Sequence, residues 1–94
     1  MNLIDKFTKE LQDIIVAVGP RFREVDRKRI VELCDYGEQA VAFEILCSQL
    51  GEFDIPISAE IFEKIKKLGE ALNVDPLYAQ SLNDIVTPII KTKN

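Results

Sequence analysis

Hydrophobic positions recur along most of this chain at three- and four-residue spacing, the signature of amphipathic helices and not of strands. Leu3, Phe7, Leu11, Ile14, Ile15 and Val18 form one apolar stripe, predicting a first helix of about sixteen residues that Gly19-Pro20 ends. Arg21-Phe22-Arg23-Glu24-Val25 reads as a short polar connection. Asp26 reads as the N-cap of a second helix that turns Ile30, Leu33 and Cys34 inward and stops at Gly37. From Glu38 to about Leu50, apolar residues cover most of the helical circumference (Ala40, Val41, Ala42, Phe43, Ile45, Leu46, Cys47 and Leu50), which predicts a central third helix closed by Gly51.

Pro56 makes Glu52-Phe53-Asp54-Ile55-Pro56-Ile57 a connector, in which Phe53 is expected as a core plug and not as an exposed anchor. Ser58 caps a fourth helix with Ile61, Phe62, Ile65, Leu68 and Leu72 inward, and Ile57 and Phe62 stand at the positions of a hydrophobic staple. Asp75-Pro76 opens a fifth helix carrying Leu77, Tyr78, Leu82, Ile85 and Val86, interrupted or ended near Pro88, with residues 91–94 as a frayed tail. The expected fold is all-α, a compact bundle of about five helices in a single domain spanning residues 1–94.

Composition narrows the class. Ninety-four residues, 47% of them hydrophobic and 30% charged, suffice for one modest core. The start of the chain, Met1-Asn2-Leu3-Ile4-Asp5-Lys6, lacks a basic segment followed by an unbroken apolar one, and no stretch has the ~18 charge-free apolar residues of a membrane span, so a cytoplasmic location is expected. In an antiparallel hairpin about Gly37, Cys34 and Cys47 are offset by roughly 10 Å, which argues against a disulfide between them. Both read as small buried hydrophobes.

There is no histidine, so the commonest general base and metal ligand is missing. The cysteines lack zinc-site spacing, and the stretches around Gly19, Gly37 and Gly51 carry no phosphate-binding loop. The chain is therefore expected to be a binding protein, not an enzyme, with no catalytic residues, cofactor or metal. Arg21, Arg23, Arg27, Lys28 and Arg29 form a basic run, but Glu24 and Asp26 interrupt it and the isoelectric point is near 4.8; it reads as a solvated helix terminus, with neither nucleic acid nor membrane as partner.

The net charge of −4 is unevenly spread: residues 1–34 carry +1, residues 35–75 carry −6 and residues 76–94 carry +1. Within the acidic middle, Glu60 with Lys64 and Glu63 with Lys67 have the spacing of self-neutralising helix pairs. Asp35, Glu38, Glu44, Glu52 and Asp54 have no such neighbour, and Glu44, Ser48 and Glu52 share one helix face. An acidic field of this kind speeds encounter with a cationic partner. The candidate partner-binding residues are Tyr36, Glu38, Glu44, Ser48, Glu52 and Asp54; Glu38 can equally serve its helix N-terminus, and Tyr36 can be core or surface.

Asp35-Tyr36-Gly37-Glu38, then the run from Ala42 to Leu50, then Glu52-Phe53-Asp54-Ile55-Pro56-Ile57-Ser58, and finally Ile65-Lys66-Lys67-Leu68-Gly69, resemble the MafI family of immunity proteins. The likeness covers roughly residues 35–80. Its most specific part is the passage from Leu46-Cys47-Ser48-Gln49-Leu50 into Phe53-Asp54-Ile55-Pro56-Ile57-Ser58, with Phe53 in the aromatic place.

The resemblance implies a bacterial protein that binds a cognate toxin C-terminal domain of a polymorphic-toxin or contact-dependent growth inhibition system and blocks it stoichiometrically. The toxin expected on this basis is a ribonuclease, EndoU-type ones among the candidates, with a cationic surface. The free protein is expected as a monomer or weak dimer. The alternative is a helical adaptor or regulator that self-associates through an apolar helix face and has no toxin partner.

Overall fold

The computed structural model of the chain describes residues 2–87. Its elements are α1 (Leu3–Val18), α2 (Glu24–Asp35), α3 (Gln39–Glu52), α4 (Ala59–Ala71) and a one-turn α5 (Leu77–Gln80), followed by a 3₁₀ turn at Asn83–Ile85. The fold is all-α, and among the described residues the only extended pairing is an isolated parallel bridge between Ile57 and Val86. No described helix is long and apolar enough to cross a membrane.

Local chemistry sets most boundaries. The Asn2 side chain accepts the Asp5 amide at 2.8 Å and starts α1, and Ser58 accepts the Ile61 amide at 3.1 Å and starts α4 as expected. Three helices end alike: the amide two residues past the C-cap returns to a carbonyl in the last turn (Glu38 to Leu33, Ile55 to Leu50, Val74 to Gly69). The left-handed residue this closure requires is Gly37, Asp54 and Asn73 respectively, with φ of 76°, 48° and 59°. Hence Gly51 does not end the third helix; it lies inside α3, and Asp54 makes the turn.

The expected fifth helix is shorter than its apolar pattern suggested. It ends at Gln80, Leu77 is 66% exposed, and Val86 is extended beside Ile57. Thr87 fastens this return, its amide and hydroxyl both donating to the Ile57 carbonyl. The expected interruption at Pro88 and the tail 91–94 lie outside the described residues.

α3 is the centre of the bundle, packing against α1, α2 and α5, with Ala42, Phe43, Leu46, Cys47 and Leu50 buried. Leu11, Ile14 and Ile15 of α1, Ile30 of α2, and Ile65 and Leu68 of α4 complete the core. Leu3, expected in the α1 stripe, is exposed, because α1 reaches past the core at its start. Phe22 corrects the polar reading of its connector: it is 2% exposed and plugs the space below the α1–α2 turn.

At one point the Phe43 ring of α3 reaches α4 so closely that only glycine fits. A Cβ on Gly69 would lie 2.9 Å from Cζ of the fully buried Phe43. Overpacking of this kind costs about 1–3 kcal/mol, against a helix-propensity gain of about 1 kcal/mol. Gly69→Ala is expected to lose about 1 kcal/mol in urea unfolding, although the same change on an open helix face stabilises.

Candidate functional site

The outward arc of α3 is where the sequence-predicted site residues fall. Ser48 and Glu52 are exposed and Glu44 is half-buried, at four-residue spacing, while the inward positions of the same helix are filled by core. Val41 (38% exposed) and the half-buried Ile45 share this arc, so the stripe is apolar as well as acidic. Ser48 also borders a shallow depression with Asp75, Leu77, Tyr78 and Ser81 from the α5 region.

The other candidates divide between the two ends of α3. Asp54 lies just past its C-terminus, exposed, on the rim of a depression shared with Arg21, Asp84 and Thr87. Tyr36, 78% exposed, and Glu38, the N-cap of α3, lie at the opposite end. Fourteen helical residues separate Glu38 from Glu52, a rise of about 21 Å. Glu44, Ser48 and Glu52 lie along one face of α3 and Asp54 follows in the turn after it, while Tyr36 and Glu38 lie at the opposite end of the helix.

None of Asp35, Glu38, Glu44, Glu52 and Asp54 has an ion-pair partner within 4.0 Å among the described residues, whereas Glu10, Asp13, Glu24, Asp26 and Glu63 do. The expected pairs on α4 are not formed. Glu63 takes Lys66 at 3.0 Å, while Lys64 and Lys67 face α1, lining a groove of about 230 Å³ opposite Glu10 and Asp13.

Asp26 is not an N-cap. Arg23 holds that place, and Asp26, in the first turn of α2 and 6% exposed, is the buried acceptor of a small network. Gln49 Nε2 donates to both of its carboxylate oxygens at 3.1 Å, and Arg23 Nε approaches Oδ2 to 3.2 Å. Arg23 in turn lies over the Phe53 ring, 4.4 Å from its centroid. The expected core plug is thus a surface residue, 43% exposed, because Ile55 and Ile57 fill the space beneath the connector.

At the other end of the helix pair, buried Gln39 donates to the Thr8 hydroxyl at 3.1 Å and to the Cys34 carbonyl at 3.0 Å, tying α3 to α1 and α2. Two of the five cations of the basic run are engaged locally, Arg23 with Asp26 and Arg27 with Glu24, while Lys28 and Arg29 line a depression with Glu32 and Gln49.

Both cysteines are free and buried. Burial pushes the Cys47 thiol up to about 12, helped by the nearby Glu44 charge, and burial also raises Cys34 despite a hydrogen bond with Thr8. A thiol that titrates higher folded than unfolded contributes its full stability below the unfolded value, near 9, and loses it as pH rises through the folded value. Stability is expected to fall between about pH 9 and 12. A thiol reagent at neutral pH should label neither cysteine until denaturant is added.

Asp26, Gln49 and Phe53 were missed as a group because their partners are distant in sequence. The alternation of Arg23 and Asp26 at three-residue spacing was the one local hint. Comparison of the chain with protein-family models, with curated proteins and with solved structures gives no match.

Proposed function

We propose that this protein is an immunity protein that binds a cognate bacterial toxin domain and neutralises it by covering a cationic surface, acting by association and not by catalysis. The observation that carries this reading is the outward face of α3 and the turn after it, where Glu44, Glu52 and Asp54 stand unpaired among the described residues, with Val41, Ile45 and Ser48 beside them on the helix. Unpaired acids flanking apolar contact area suit a partner that presents lysine and arginine, gaining on-rate from charge and residence time from burial. A ribonuclease domain, which must attract phosphate, has such a surface. The resemblance of residues 35–80 to the MafI family supports the same class of partner.

The alternative, self-association through the apolar side of the third helix, has less to draw on, because Ala42, Phe43, Leu46, Cys47 and Leu50 are buried in the chain's own core. The discriminating experiment is co-expression. The C-terminal domain of the toxin encoded immediately upstream is expected to arrest cells lacking this protein and to be harmless in cells that make it. Survival of the unprotected cells contradicts the proposal.

A further inference from the structure

We infer that Phe53 is a preset anchor: its ring, held by Arg23 and left uncovered, enters an apolar socket rimmed by lysine or arginine on the partner protein. This rests on the toxin-binding reading and names the residue that gives that interface its residence time. Of the five phenylalanines, Phe22 and Phe43 are buried, Phe7 and Phe62 half-buried, and Phe53 alone exposed. The core does not need it. Ile55 and Ile57, at 3% and 1% exposure, already close the base of the connector.

The ring is nevertheless fixed. The chain of contacts from Gln49 through Asp26 to Arg23 ends on its face, and the Ile55-to-Leu50 closure fixes the backbone on either side. An exposed aromatic whose position is set before binding loses little conformational freedom on association, the property shared by strong interface anchors. Arg23, itself 47% exposed at its side chain, adds the other residue type enriched at such centres.

Charge selects the occupant. Glu52 and Asp54 flank Phe53 in sequence, both exposed and unpaired among the described residues; of the nearby cations, Arg23 is engaged by Asp26 and Arg21 shares its depression with two acids, Asp54 and Asp84. A nucleic acid stacking on the ring would bring phosphates against two carboxylates. A protein surface with cations around an apolar recess meets both requirements at once.

The test titrates the purified upstream-encoded toxin domain against the full chain and its Phe53→Ala and Phe53→Leu variants, with thermal melts of each. Phe53→Ala is expected to weaken binding by about thirtyfold or more with its melting temperature little changed, and Phe53→Leu, which keeps apolar bulk, to stay within about fivefold of the parent. Binding by the parent with undiminished affinity in Phe53→Ala overturns the anchor and leaves the toxin-binding reading standing. Absence of binding by the parent overturns both. Phe53-dependent binding of a single-stranded RNA oligonucleotide by the parent also overturns the inference, making the ring a base-stacking platform.

Discussion

Phe43→Ala is expected to be the most damaging single substitution in the chain, lowering unfolding free energy by about 3–5 kcal/mol. Phe43 has no exposed surface, and its ring reaches from α3 to Gly69 of α4. Glycine at that position leaves room for the ring to fill the space between the two helices. Removing the ring leaves a void that neither helix can close without shifting on its other neighbours. The groove bounded by Phe43, Gly69, Val74 and Ala79 would deepen into the core. Small domains have only about 5–15 kcal/mol in total, so the variant is expected to be marginal at 37 °C, with a melting temperature lower by more than about 10 °C. Urea unfolding followed by circular dichroism measures it. A loss below about 1 kcal/mol would mean that the Phe43 ring does not fill the space beside Gly69.

The second large effect is on binding. Glu52→Lys combined with Asp54→Lys is expected to leave the fold intact and to weaken toxin-domain binding by about a hundredfold or more. Both side chains are exposed and make no ion pair among the described residues, so the core loses nothing. Asp54 does occupy the left-handed position after α3, where lysine is less comfortable than aspartate, and a small drop in stability is expected from that alone. Against a cationic partner the exchange replaces two attractions with two repulsions, and like charges facing across an interface cost several kcal/mol, each 1.4 kcal/mol being tenfold in affinity. The loss should appear in the association rate and shrink at high salt. Titration calorimetry and stopped-flow association together separate this from unfolding, and unchanged affinity would move the interface elsewhere on the molecule.

The features legible in the sequence are those that local chemistry decides. The apolar stripe and Gly19 mark α1 to within a residue, Ser58 starts α4, and Gly37 supplies the turn between α2 and α3. The hidden features depend on partners far along the chain. An aspartate near a helix start resembles a cap, and only the folded pairing with Gln49, 23 residues away, reveals Asp26 as a buried acceptor. Phe22 lies between two arginines and looks like surface until α1 and α2 are closed over it. Leu77 and Val86 carry helical spacing, but the chain turns back to bridge Ile57 before a full helix can form.

The candidate site was legible in the same uneven way. Four-residue spacing correctly put Glu44, Ser48 and Glu52 on one face, and Asp54 follows them around the end of α3. Tyr36 and Glu38 are close in sequence to that helix but at its far end, a separation that the helical rise makes plain once the boundaries are known. Phe53 reads as inward in the sequence because an aromatic residue beside a proline-containing connector ordinarily plugs it. Ile55 and Ile57 do so instead, and the ring is left where a partner could reach it.

The central claim is stoichiometric capture of a cationic toxin domain by the acidic α3 surface. It is tested most directly by calorimetric titration of the purified, upstream-encoded toxin domain into this protein at low and high salt. A one-to-one complex is predicted, with affinity that falls steeply as salt rises and with toxin activity lost in step with occupancy. Absence of binding, or an affinity indifferent to salt, would contradict it.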